Sequence, residues 1–483
     1  MLHLRRLCMA LLVGGSVMTA AADDAAPRIT HVGRVAPHIL AVTVEAQQRV
    51  PGSQVAYVAQ PGDEVAEGQD RWLRRDGRTL GAIVGRQRDL LYTFDREAGA
   101  ALSTGVAARP EAYRLTIGGA EAPAPLRVHR KSKPIDEARV GEWRFVYPQR
   151  HTLYLVFAEP LRTGAARIEL TGHTPAIEPV SFTLSDAWRS PAVHVSHVGF
   201  RPDDPVKVAY LSQWMGDGGG ADYAWADTFR VVDDASGEVV FTGRPQRSLA
   251  AGQTEAGRGR NYNGTDVYRL DFSAIGRPGT YRVEVVGVGA SYPFRVDADV
   301  WDEPFRVAMQ GLLHHRSGIA LGPPFTSYVR PRTMVPGEDG FEVRAADVTM
   351  LKPDGSDFSQ DAIFKELAAR ATDRPVPEAW GGYMDAGDWD RRAQHLYVTR
   401  LLLDLFELRP DHFARLGLRL PPDEADNDLP DLLDEVCFNL DLYRRMQDAD
   451  GGVRGWIEST QHPRFGEASW QESLPVFATA PDP

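Results

Sequence analysis

From Pro27 to Asp186 the chain alternates short apolar runs with Gly, Pro and Asp breaks. His38–Val44, Gln54–Ala59, Leu80–Val84, Ala112–Ile117, His151–Phe157, Ala166–Leu170 and Val180–Leu184 have strand length and β-branched or aromatic content. This rhythm predicts an accessory β-sandwich over 27–189, or two small ones. From Ser190 to Val296 the same pattern continues. Strands are expected near Val193–Val195, Val206–Leu211, Thr228–Val232, Val239–Thr242, Val267–Phe272 and Thr280–Val286, with Pro278-Gly279 as a turn. That spacing suits one immunoglobulin-like sandwich over 190–296.

Near Asp299 the apolar period changes from two to three and four. Phe305, Ala308, Met309, Leu312 and Leu313 mark one helix, with Pro304 fitting its first turn. A second helix is expected over His395–Leu408, containing Leu396, Leu403 and Leu405, with Pro410 after its end. A third is expected over Asp431–Gln447, with Leu433, Val436, Leu440 and Tyr443 inward and Gly451-Gly452 beyond. Long irregular stretches, above all Leu321–Ser359, separate the helices. The expected fold is multidomain: N-terminal all-β regions (β-sandwich, immunoglobulin-like) followed by an all-α region with elaborate loops over 297–483.

At 483 residues the chain is too long for one core. With 43% hydrophobic and 25% charged residues, it is neither disordered nor fibrous. A formal charge of −12 argues against a broad nucleic-acid surface. The body contains no apolar run long enough to span a bilayer. Residues 1–22 read as a secretory signal peptide: Arg5-Arg6, an apolar stretch from Leu7 to Val17, and Ala20-Ala21-Ala22 before the cleavage point. A secreted or periplasmic location follows. Cleavage removes Cys8 and leaves Cys437 alone, so the mature chain has no internal disulfide. Cys437 lies in the third helix and reads as a buried, inert thiol.

The stretch richest in chemistry is Trp380-Gly381-Gly382-Tyr383-Met384-Asp385-Ala386-Gly387-Asp388-Trp389. A bend at the small Ala-Gly pair can aim Asp385 and Asp388 at one water molecule. One carboxylate then acts as general base while the other orients the water. The local residues also admit a structural role. Asp388 can cap the following helix, and Asp385 can satisfy loop backbone donors. In the N-terminal region Trp72, Trp143 and Tyr147 can stack on a sugar face or fill a core.

The segment Trp380–Asp388 resembles the Gly-Gly-aromatic-x-Asp-Ala-Gly-Asp segment of glycoside hydrolase family 9, a family of cellulases and related enzymes. His315-Arg316-Ser317-Gly318 is similar to that family's Gln-Arg-Ser/Cys-Gly segment. Leu429–Glu435, Met446-Gln447 and Gly451-Gly452 resemble its Leu-Leu-Asp-Glu helix, the end of that helix and the turn after it. Val193–Lys207, Phe272-Ser273, Gly279-Thr280-Tyr281 and Ser291-Tyr292-Pro293-Phe294 resemble the immunoglobulin-like domain that precedes many members. The resemblance implies an (α/α)6 barrel, here incomplete, and inverting hydrolysis of a β-glycosidic bond. It makes Asp388 the base and Asp385 the residue that helps hold water. The substrate would be a polysaccharide or oligosaccharide.

His315 and Met384 depart from the family pattern near the expected cleft. Asp390-Arg391 departs as well, so simple cellulose specificity is not implied. Some members bind zinc near the first barrel helix. Here Ser317, Arg330, Arg332 and Thr333 occupy that stretch, so no metal is expected. Calcium is compatible with the Asp-rich loops, but no residue set defines a site. The family's general acid is a Glu near the end of a longer catalytic domain. Glu467 and Glu472 fall before that position and read as surface residues, so the chain is expected to be truncated within its catalytic domain. The competing reading is a non-catalytic carbohydrate-binding or scaffolding protein. Within the enzyme class, an N-terminal region that walls one end of the cleft would favour exo over endo cleavage.

Overall fold

The computed structural model describes residues 25–255, 259–349, 351–352, 356, 360–385 and 393–481. The expected signal segment 1–22 and the end of the aspartate motif, Asp388 included, lie outside the described residues. The chain divides into two compact units. One is Met1–Pro51 with Asp95–Val300, and the other is Gly52–Phe94 with Trp301–Pro483. The expected 27–189 module is therefore interrupted, because residues 52–94 pack with the helical region.

The first unit stacks antiparallel sheets. Arg28–Ala36, Ile39–Ala46, Gln149–Val156 and Arg127–Pro134 form one sheet in that order. Ala120–Glu121, Tyr113–Ile117, Gly164–Leu170 and Val180–Leu184 form the sheet facing it. The immunoglobulin-like part follows. Its first sheet orders Val193–Val195, Val208–Leu211, Val267–Asp271 and Gln246–Leu249. Its second is built on Val239–Gly243, Phe229–Asp233 and Gly279–Val285, with Phe294–Val296 pairing the last of these.

Strand alternation explains how these layers share one unit. Leu40, Val42, Val44, Leu153 and Leu155 point into a core with Leu115, Ile168 and Phe182. Their neighbours Ile39, Ala41, Tyr154 and Val156 point the other way, into a core with Leu211, Val231 and Phe272. Strands covered on both faces read as continuous apolar runs, as Ile39–Val42 does. Truncating one fully buried member such as Leu153 to Ala costs about 2–5 kcal/mol. Arg28–Ala36 escaped the sequence reading because His31, Gly33 and Arg34 break its apolar pattern.

The second unit contains the helices Asp302–His315, Gln360–Ala369, Leu396–Leu408 and Asp431–Arg445. It is not all-α as expected. Ala371–Pro375, Val343–Ala346, Val476–Ala478 and Ile457–Ser459 form a mixed sheet whose central pair is parallel. Strands of three to five residues are too short to give a periodic signal. Residues 52–94 add a five-stranded sheet in the order Gln54–Ala56, Leu90–Thr93, Arg78–Val84, Trp72–Arg75 and Glu64–Val65.

The buried face of Asp431–Arg445 carries Leu432, Val436, Leu442 and Tyr443, together with Glu435 and Asn439. The expected stripe was rotated, since Leu440 is exposed. Cys437 lies on the outer face and is exposed, contrary to the expected burial. Leu403 is exposed with Tyr397, Leu401 and Leu408. Val398, Leu402, Leu405 and Phe406 make the inward face of that helix instead.

Candidate functional site

The aspartate motif is fixed from its N-terminal side. Gly381 and Gly382 have φ of +84° and +67°, a region that Cβ-bearing residues rarely adopt. A Cβ on Gly381 would meet Arg445 Nη2 at 2.6 Å, and one on Gly382 would meet Leu442 Cδ2 at 2.6 Å. The turn therefore lies directly on the helix Asp431–Arg445. Arg445 donates to Trp380 O at 2.6 Å and stacks 4.0 Å from the centroid of its ring. On the other side the turn pairs with the end of helix Asp302–His315. Ser317 N donates to Gly382 O (2.9 Å) and Met384 N to His315 O (2.7 Å). His315 Nδ1 donates to Met384 O at 3.0 Å, because a carbonyl can only accept.

Below the turn is a buried ion cluster that the sequence reading did not name. Arg316 and Glu435 are both 0% exposed and meet through two contacts of 3.1 Å. Glu424 takes the remaining guanidinium edge at 2.7 and 2.8 Å. Tyr383 donates its hydroxyl to Glu435 Oε1 at 2.6 Å, and Phe438 lies 4.1 Å from the guanidinium. Burial lowers the pKa of Arg316, but the charges and hydrogen bonds of Glu435 and Glu424 outweigh it and hold the group cationic. Burial, then the adjacent Glu435, pushes the Tyr383 hydroxyl well up, so it stays a donor. The sequence signal was a Glu inside an apolar helix face, between Leu432 and Val436.

Beside the turn opens a cavity of about 370 Å³ walled by His314, His315, Tyr328, Arg330, Met384 and Trp470, among others. His315 and Met384, the two departures from the family pattern, both line it. His314 bonds Thr326 Oγ1 at 2.8 Å and packs against Tyr328. Burial, aided by the Arg330 charge, lowers its pKa and keeps the imidazole neutral. Arg330 is buried and donates to Arg316 O at 2.5 Å. Asp385 follows Met384 directly and is exposed. Its expected partner Asp388 is outside the described residues, so the pairing of the two carboxylates has no described geometry.

The far wall of the cavity comes from a segment that the 52–94 insert clamps. Phe465 packs 5.3 Å from Trp72 and 5.2 Å from Tyr92. Gln54 and Gln471 exchange amide hydrogen bonds of 2.6 and 2.7 Å. Thr333 reaches Ser469 O at 2.6 Å from the opposite direction. Trp72 is thus a buried packing residue and not a sugar platform. Trp143 remains 83% exposed in the first unit, with Tyr147 partly so.

Glu467 and Glu472, expected at the surface, are buried. Glu467 accepts from Gly85 N (3.0 Å) and Ser473 Oγ (2.7 Å). Glu472 accepts from Leu474 N, yet burial pushes its pKa up to about 8. Both face the insert's side, and neither lines the cavity beside Met384. Arg332 donates to Gly318 O at 3.0 Å, and Arg330 Nη1 lies 3.6 Å from Met384 Sδ. Among the described residues no group of three or more His, Cys, Asp or Glu is placed to hold a metal ion. No helix among them is long and apolar enough to cross a membrane.

Comparison with known proteins defines the class. Residues 189–290 match the family of cellulase N-terminal ig-like domains. Endoglucanase D of Acetivibrio thermocellus is 24% identical over 263 residues, which is 54% of this chain and 34% of that protein. A xyloglucan-specific endo-beta-1,4-glucanase of Bacteroides ovatus, BoGH9A, is 27% identical over 267 residues, covering 54% and 38%. Among solved structures, a Bacteroides ovatus GH9 protein aligns with a TM-score of 0.46 at 22% identity, covering 60% of this chain and 45% of that one. Residues 189–290 thus match a cellulase N-terminal ig-like domain, and just over half of the chain is similar in sequence to the endoglucanases named above. The chain spans little more than a third of the length of these curated relatives.

Proposed function

We propose that the chain is an exported glycoside hydrolase, or the part of one, that cleaves β-linked glucan or a related polysaccharide with inversion. Asp388 is the general base, and Asp385 orients the attacking water. The reading rests on family resemblance at the motif and on the relatives' names. The observation that carries it is the cavity placed against the motif. Met384, immediately before Asp385, shares its wall with Tyr328 and Trp470. Aromatic faces beside neutral His314 and cationic Arg330 suit a sugar ring and its hydroxyls. The glycine turn and the Arg316 cluster hold the approach to Asp385 rigid, as a base that must meet water in one geometry requires.

Inversion also needs an acid carboxyl roughly 6.5–9.5 Å from the base. Glu467 and Glu472 are bound up with the insert, so neither is assigned that role. The test is reducing-sugar release from β-1,4-glucan and xyloglucan by the full-length protein. Asp388→Ala should lower turnover by about 10²–10⁴-fold while substrate is still bound. Unchanged turnover would remove Asp388 as the base.

A further inference from the structure

The first unit holds a second cleft, of about 530 Å³, far in sequence from the aspartate motif. It opens where the sheet containing Arg127–Pro134 and Gln149–Val156 adjoins the immunoglobulin-like strands Val208–Leu211 and Val267–Asp271. Trp214 and Tyr210 line it and remain 45% and 42% exposed. Trp214 is not a loose surface ring. Its backbone bridges Gly220, and a Cβ on Gly264 would lie 3.4 Å from its indole Cδ1. Gly216, at φ +70°, presses the same loop onto Arg130 O, where a Cβ would stand at 2.0 Å.

Two polar groups in this cleft lack the partner that their chemistry calls for. Gln213 is only 6% exposed. Its Nε2 donates to Tyr154 Oη and Trp214 O, both at 2.8 Å, which fixes the amide orientation. Its Oε1 is buried with no partner. A buried acceptor left open in a cleft asks for a donor from a ligand. Lys131 is half-buried, and among the described residues it has no ion-pair partner. Its ammonium lies 6.0 Å from the Tyr154 ring centroid. No Asp or Glu lines the cleft. His194 donates Nε2–H to Ser212 O at 3.0 Å and offers Lys131 no negative charge.

We propose that this cleft is a non-catalytic saccharide site selective for an oligosaccharide bearing a uronic acid. Trp214 stacks on a sugar face, Gln213 Oε1 accepts a sugar hydroxyl, and Lys131 pairs with the sugar carboxylate. A ring platform with one unpaired cation distinguishes an acidic sugar from a neutral one. The site stands independently of the hydrolase reading, since it shares no residue with the cavity at Met384.

Isothermal titration of the full chain with a glucuronic acid-substituted xylo-oligosaccharide, and with its unsubstituted counterpart, tests this. The substituted ligand should bind about tenfold or more tighter. Trp214→Ala should abolish binding of both. Lys131→Met, at a half-exposed position that tolerates an apolar stem, should erase the preference while weak binding persists. Trp470→Ala in the other cavity should leave this binding unchanged. Equal affinity for the two ligands, no binding of either, or loss with Trp470→Ala but not Trp214→Ala would each overturn the proposal.

Discussion

Replacing Arg316 by Met isolates the buried cluster beneath the aspartate turn. The methionine keeps an unbranched apolar stem and removes the charge. Glu435, fully buried, then retains only the Tyr383 hydroxyl as a hydrogen-bond partner of its inner oxygen. Glu424 is partly exposed and can turn to solvent, so most of the cost falls on Glu435. Removing one partner of a buried pair typically costs about 3–5 kcal/mol, because an uncompensated charge is left inside. That corresponds to a fall of about a thousandfold in the folding equilibrium. Arg316→Met with Glu435→Leu removes the two fully buried charges and leaves the Tyr383 hydroxyl only the backbone carbonyl of residue 435, 3.5 Å away, at about 1–2 kcal/mol. Urea unfolding followed by tryptophan fluorescence should rank wild type, double variant and single variant in falling order. A single variant within about 1 kcal/mol of wild type, or a double variant no better than the single, would refute the reasoning.

Glu472 gives a pH prediction. Its folded pKa of about 8 lies above its ordinary value, so its neutral form is favoured in the fold. Stability is therefore full below about pH 4.5 and is lost as pH rises toward 8, by a few kcal/mol in all. Glu472→Gln should flatten the midpoint temperature between pH 5 and 8.5, and a wild-type slope surviving in the variant would count against it. Trp72→Ala should cost about 3–5 kcal/mol and free the 464–474 segment; limited proteolysis there should accelerate, and an unchanged cleavage rate would contradict the clamp. Cys437 should react with a maleimide in the native protein, given its exposure; labelling only after unfolding would place it inside. Leu401→Glu and Leu408→Glu should improve solubility with little loss of stability, read by light scattering and thermal melts.

What the sequence disclosed follows from how local each signal is. The immunoglobulin-like strands were legible because runs such as Val267–Phe272 are long and bounded by turns; the structure places this strand at Val267–Asp271. The three named helices were legible from their period, but their stripes were not. Leu440 fits a three-four spacing yet lies outward, because Glu435 and Asn439 take inward places that a hydrophobicity pattern assigns to solvent. The small mixed sheet was missed because its strands are short and its central pair joins residues more than a hundred positions apart. One clue was overlooked. Asp76 and Gly77 both adopt positive φ and close the hairpin Arg75–Arg78, a turn that the Asp-Gly pair announces. The motif itself was found by resemblance, whereas the residues that brace it, Arg316, Glu424 and Glu435, come together only in the fold. Trp72 shows the same limit from the other side, since an aromatic in a strand looks alike whether it stacks on sugar or on Phe465.

The central claim is hydrolysis with inversion driven by Asp388. Proton NMR of the fresh product from a β-linked oligosaccharide tests it most directly, with the full-length protein and its Asp388→Asn variant. The α-anomer should appear first with the unsubstituted protein and not at all with the variant. Early β-anomer, or undiminished product from Asp388→Asn, would contradict the account.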